Sequence, residues 1–204
     1  MDHEARLRAE IIRVGRMMRD RNLVFATGGN ISAKVDDESF LITPSGVRKG
    51  EMREEDLVLV GLDGTWSGRI KPSIETPLHT AIYRSQEVGA VVHAHPPCCT
   101  ALAVAGIDLL TGLIPEGVMV LGEVPMIPYR TPGTQELADA LTEGKRAKAF
   151  LMERHGALTV GMDLEEAYNR MEEMEFIACL QLKVMSLGEP QELPLEERRK
   201  LGGC

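Results

Sequence analysis

No apolar stretch approaches the roughly 18 residues needed to cross a bilayer, so no membrane span and no membrane partner are expected. The chain also lacks any excess of positive charge. Its 23 Lys and Arg are outnumbered by 31 Asp and Glu, giving a formal net charge of −8. A nucleic-acid backbone requires clustered Lys and Arg, which argues against it as a partner but leaves room for a small phosphate. The first residues, Met1–Glu10, are too polar for a secretory signal. Cysteine is scarce, with four residues at 98, 99, 179 and 204. Adjacent Cys98 and Cys99 are poorly placed for a mutual disulfide, and none has the paired spacing of a thiolate zinc knuckle. Reduced thiols in a cytoplasmic protein are the expectation. What remains is ordinary globular composition, 44% hydrophobic and 26% charged over 204 residues, enough for one comfortable core.

The apolar residues Leu7, Ile11, Ile12, Val14 and Met18 recur with helical periodicity over Glu4–Arg19. Short strands are expected at Ile31–Val35, Ser39–Thr43, Leu57–Val60, Val88–His95, Met126–Tyr129, Ala149–Met152 and Ala157–Val160. Helices are expected after Thr76-Pro77, over Cys98–Ala105, from Gln135 to about Leu141 behind a Thr134 cap, and from Asp163 to about Ser186. Repeated strand-helix-strand units are missing. A three-layer α/β/α or α+β single domain therefore fits better than a doubly wound sheet. The domain is placed at 1–188, with residues 189–204 a short polar tail.

Two of the five histidines stand in Val91-Val92-His93-Ala94-His95. On a strand, i and i+2 share a face, and two imidazoles can converge on one ion. Pro96-Pro97 ends the strand just after the second histidine, at a mouth that substrate can reach. His155-Gly156 falls between two apolar segments, and Glu75 precedes a proline-started helix and can add a carboxylate. His79, four residues after Glu75, is an alternative third ligand.

Three loops, Thr27-Gly28-Gly29-Asn30, Ser45-Gly46 and Lys71-Pro72-Ser73, offer hydroxyls, an amide and backbone donors suited to a phosphate. The first has neither the glycine-lysine-serine ending of a Walker loop nor a dinucleotide fingerprint.

Six segments in order resemble the class II aldolase/adducin family, and most closely its fuculose-phosphate aldolase branch. They are Thr27-Gly28-Gly29-Asn30-Ile31-Ser32, Leu41-Ile42-Thr43-Pro44-Ser45-Gly46, Lys71-Pro72-Ser73-Ile74-Glu75, Ala90-Val91-Val92-His93-Ala94-His95, Tyr129-Arg130-Thr131-Pro132-Gly133-Thr134 and His155-Gly156-Ala157. The resemblance implies an α/β sandwich around a mainly antiparallel sheet. It also implies one zinc per subunit, or another divalent transition metal, held by His93, His95 and His155. Glu75 would approach that metal and exchange protons. It selects His155 over His79, and assigns the phosphate to Thr27, Gly28, Asn30, Ser45, Gly46 and Ser73. It further implies a homotetramer with intersubunit active sites, cleaving a ketose 1-phosphate to dihydroxyacetone phosphate and an aldehyde.

Two departures stand out. Ile74 takes the place of a second serine before the glutamate, and Leu113-Ile114-Pro115-Glu116 lacks the tyrosine of that branch, leaving Glu116 as the candidate acid. Tyr129, Arg130 and Thr134 are candidates for a wall or a subunit contact. Alternative readings are a pentulose-phosphate 4-epimerase or a methylthioribulose-1-phosphate dehydratase, with other sugar-acid or decarboxylase-like activities ranked below them. A non-enzymatic adducin-like interaction module belongs to a different class and need not keep the histidines.

Overall fold

The computed structural model describes residues 2–143 and 146–202. Helix α1 (His3–Asp20) leads into strands β1 (Asn30–Lys34), β2 (Ser39–Ile42), β3 (Val58–Gly61) and β4 (Trp66–Ser67). Then follow α2 (Thr76–Ser85), β5 (Ala90–Ala94), α3 (Pro97–Ala105), α4 (Pro115–Val120), β6 (Met126–Ile127) and α5 (Gln135–Thr142). The order closes with β7 (Ala149–Met152), β8 (Gly156–Gly161), α6 (Leu164–Leu187) and α7 (Leu195–Lys200).

The strands form one eight-stranded sheet ordered β4-β3-β2-β1-β5-β8-β7-β6. Every pairing is antiparallel except β6 with β7. Alternation along β5 divides the core. Ala90, Val92 and Ala94 pack toward Ile11, Val14, Leu102, Tyr168 and Met171 of α1, α3 and α6, whereas Val91 packs toward Leu78, Ile82 and Leu137 of α2 and α5. Helices thus cover both faces, which is the expected three-layer sandwich.

The expected caps form as hydrogen bonds. Thr134 accepts from Leu137 N, and Asp163 accepts from Glu166 N. Helix α2 begins one residue earlier than expected, with Glu75 rather than Thr76 at the N-cap position. The polar segment after Gly188 meets the body of the domain. Leu193 N donates to Gly112 O, and Glu192 Oε1 accepts from Gly112 N.

One expectation fails. Cys98 and Cys179 are joined by a disulfide, with Cα atoms 5.1 Å apart, while Cys99 is a buried free thiol. The partners lie 81 residues apart in the chain, and only the packing of α3 on α6 brings them together. Among the described residues, no helix is long and apolar enough to cross a membrane.

Candidate metal centre and active site

His93 and Asn30 are cross-strand partners on neighbouring β5 and β1. His95 lies just beyond the end of β5. His155 closes the tight β7–β8 connection, where Arg154 adopts φ 54° and His155 N donates to Met152 O. A non-glycine residue in the left-handed region is uncommon, so this turn is a specific local solution for aiming His155 at the end of β5. Two glycines make room for the neighbouring ring. A Cβ on Gly28 would sit 2.9 Å from His95 Nδ1, and one on Gly156 would sit 2.8 Å from His95 Cδ2.

The ligating atoms of His93, His95 and His155 all lie within 4.8 Å of one another. His93 Nε2 is 3.1 Å from both His95 Nε2 and Glu75 Oε2, and His155 Nε2 is 3.3 Å from Glu75 Oε1. The tautomer of His93 follows from its other nitrogen. Nδ1 lies 2.8 Å from Ala157 O, which only accepts, so Nδ1 carries the proton and Nε2 presents a lone pair. Burial lowers the pKa of His93 to about 3, and burial also lowers those of His95 and His155. Lone pairs and a carboxylate therefore converge with few protons to separate them, and Glu75 Oε1 is buried without a hydrogen-bond partner. That donor set fits a divalent cation.

The family model for the class II aldolase and adducin N-terminal domain matches residues 9–182. The chain belongs to the class II aldolase and adducin family. It is 38% identical over 186 residues to a 3-oxo-tetronate 4-phosphate decarboxylase of Pectobacterium atrosepticum, covering 88% of this chain and 85% of that protein. It is 36% identical over 199 residues to a 5-deoxy-D-ribulose 1-phosphate aldolase of Bacillus thuringiensis, covering 95% and 92% respectively. A solved L-fuculose 1-phosphate aldolase superposes with a TM-score of 0.88 at 32% identity, covering 96% of this chain and 93% of that one. With aldolases and a decarboxylase as relatives, this class II aldolase-family chain is an enzyme.

The third-ligand competition has a geometric answer. His79 is fully buried beneath the cluster, and it works through Asn30 rather than facing the other imidazoles. Asn30 Nδ2 donates to Glu75 Oε2 at 2.7 Å, which turns Asn30 Oδ1 toward His79 Nε2. His79 Nε2 must then carry the proton, so Nδ1 accepts from the Ser32 hydroxyl at 2.6 Å, and Ser32 Oγ accepts from Tyr83 OH at 2.7 Å. The result is a one-way chain of donors running from Tyr83 to the Glu75 carboxylate. Burial pushes the Tyr83 phenol up and lowers His79 to about 3, so both stay neutral. Sequence reading missed Ser32 and Tyr83, for which the signal was the four-residue spacing of His79 from both Glu75 and Tyr83.

The histidines open into a cleft of about 450 Å³ lined by Thr27, Gly28, Asn30, Ser45, Gly46 and Ser73, with Glu75, His95 and His155. All six candidate phosphate residues are thus brought to one place. At least three of their backbone donors are already used, Gly28 N by Phe25 O, Ser45 N by Lys71 O and Ser73 N by Thr43 O. The Ser73 hydroxyl accepts from Glu75 N at 3.2 Å and so orients the carboxylate as well. A larger groove of about 680 Å³, lined by Asp36, Asp63 and Trp66, lies along the β2–β3–β4 edge away from this chemistry. Glu116 is exposed on α4 and does not line this cleft. Its charge acts on Glu173, helping burial to raise that carboxyl.

Proposed function

We propose that the enzyme catalyses metal-dependent cleavage of a carbon–carbon bond in a ketose 1-phosphate, releasing dihydroxyacetone phosphate and an aldehyde. The supporting observation is a buried carboxylate, Glu75, against His93 and His155 of three convergent imidazoles, beside a cleft lined by the Thr27–Asn30, Ser45-Gly46 and Ser73 loops. His93, His95 and His155 would hold the cation, read as zinc from its nitrogen-rich donor set, with Glu75 beside it. A bound divalent cation supplies Lewis-acid stabilisation of charge developing on substrate oxygens.

The chain's own groups account for the remaining tasks. Thr27, Asn30, Ser45, Gly46 and Ser73 hold the phosphate and set the donor carbon against Glu75, turning remote binding into orientation. Glu75 carries the proton to and from that carbon, kept in register by Asn30 Nδ2 and by its own N–H on Ser73 Oγ. The catalytic domain is read as residues 1–188, followed by the 189–204 tail. In the homotetramer that the family resemblance implies, a neighbouring subunit would cover the mouth, and exposed Phe25 and Ile74, on or beside the loops of the cleft, are apolar surface open to it. Glu116 of that neighbour is the candidate acid for the departing aldehyde oxygen.

Decarboxylation is the second reading, favoured by the 38% identity to a 3-oxo-tetronate 4-phosphate decarboxylase. Loss of carbon dioxide from such a β-keto acid leaves the same enediolate, and no acid is needed for the departing group. The single carboxylate of the cleft, Glu75, would then serve only to return a proton.

Incubating metal-loaded enzyme with ketose 1-phosphates and with a 3-oxo sugar acid 4-phosphate, followed by mass spectrometry, tests both. Dihydroxyacetone phosphate with an aldehyde supports aldol cleavage, and with carbon dioxide it supports the second reading. Products of unchanged mass, or of mass lowered by one water, overturn both in favour of an epimerase or a dehydratase. In the aldol case, Glu116→Gln is expected to slow aldehyde release while leaving metal content unchanged.

A further inference from the structure

Lys49 occupies an unusual place for a lysine. Only 2% of its surface is exposed, at the start of a short 3₁₀ turn over Lys49–Glu51. Its ammonium donates to Thr27 O at 2.9 Å and to Val47 O at 2.8 Å. Those two carbonyls belong to different loops, one carrying Thr27-Gly28 and the other Ser45-Gly46-Val47. One side chain therefore ties together the two loops that present phosphate-binding groups. Lys49 also lines the same cleft as Ser45, Gly46, Ser73 and His95.

A buried charge is normally matched by an opposite charge, because carbonyl oxygens alone return only part of the lost hydration. Among the described residues no carboxylate forms an ion pair with Lys49, and desolvation alone acts on it, lowering its pKa to about 8. An ammonium has three N–H donors, and two are committed to carbonyls. The donor left over and the unmatched charge are both found beside the anion loops.

We propose that Lys49 is the charge-bearing element of the anion subsite, holding the Thr27 and Ser45-Gly46 loops in place and neutralising the phosphate of a sugar-phosphate substrate. The proposal deepens the functional reading above and rests on its phosphate site, though not on which carbon–carbon bond is cleaved. Hydroxyl and amide donors recognise the shape of a phosphate, whereas a buried cation selects for its charge. Lys49 is accordingly the residue that separates phosphorylated substrates from free sugars.

The test uses the full metal-loaded protein and inorganic phosphate as the probe, with acetate as a control for anions that bind the metal alone. Lys49→Gln keeps a side-chain donor for the loop carbonyls but removes the charge. Isothermal titration is expected to show phosphate affinity reduced about tenfold or more, with acetate affinity and metal content unchanged. Phosphate binding as tight as that of the wild type would leave Lys49 a loop staple only and overturn the proposal. Should the variant lose its native spectrum, wild-type protein labelled at lysine Cε gives the answer by itself. One lysine signal is expected to titrate near 8, and phosphate should move its midpoint upward. A midpoint that ignores phosphate overturns the proposal equally. Phosphate binding that depends on Lys49 in a protein that cleaves no sugar phosphate would sink the functional reading and leave the Lys49 assignment standing.

Discussion

Asn30 Nδ2 donates to Glu75 Oε2 across 2.7 Å, joining the first residue of β1 to the N-cap residue of α2. Neither end can turn freely, because Asn30 Oδ1 is held by His79 and Glu75 N by Ser73 Oγ. Replacing Asn30 with Asp sets a second carboxylate against the first while leaving an acceptor for His79. Turnover is expected to fall by about 10²-fold or more with metal content preserved, as read by steady-state kinetics and elemental analysis. Wild-type turnover in this variant would refute the orienting role of Asn30.

Glu75→Gln keeps shape and hydrogen bonding but removes the proton acceptor. The expected result is a loss of about 10²–10⁴ in kcat with a nearly unchanged melting temperature. A variant that melts far earlier would place Glu75 among structural rather than chemical groups.

Metal stoichiometry separates His79 from His93 and His155. His93→Ala and His155→Ala are expected to lose bound divalent metal after dialysis, and His79→Gln to keep it, because His79 faces Asn30 rather than the cluster. Full metal occupancy in His93→Ala would remove that residue from the ligand set.

Acid stability is set partly by His79. Its pKa falls from 6.5 to about 3 on folding, chiefly through burial, so between those values the unfolded chain binds more protons. Stability contributed by the neutral ring is complete above 6.5 and is lost as pH falls toward 3, by up to roughly 1.4 kcal/mol per pH unit. Denaturation of metal-free wild type and His79→Gln at a series of pH values should show a shallower acid slope for the variant. Parallel slopes would count against the buried neutral state of His79.

Lys49 acts in the alkaline window with the same sign. Its folded pKa is about 8 against 10.5 unfolded, through desolvation, so the burial cost is full below 8 and fades as pH rises toward 10.5. Wild type should therefore gain stability relative to Lys49→Gln across that window. A constant difference between the two proteins would contradict the lowered value.

The parts of the site that were legible in the sequence are those carried by residue type and short spacing. His93 and His95 stand two apart at a strand end, His155 sits beside a glycine in a turn, and Glu75 precedes a proline-started helix. His79 was ambiguous because four-residue spacing on a helix states nearness to Glu75 without direction. Lys49 gave no signal, since a lysine in the polar run Arg48–Glu55 reads as a solvated charge. The disulfide between Cys98 and Cys179 was equally hidden, being a consequence of helix packing across 81 residues.

By itself, the sequence determined most helices and strands, though not β4, α4 or α7, through hydrophobic periodicity and capping residues, and the kinds of ligand and proton-transfer group available. Tertiary structure alone decided which atoms converge. It oriented His93 by its hydrogen bond to Ala157 O, turned His79 toward Asn30 instead of the cluster, and buried Lys49 between two loops. The physical reason is common to all three. Tautomer, hydrogen-bond direction and the cost of a buried charge depend on neighbours brought from distant parts of the chain, and local spacing contains no record of them.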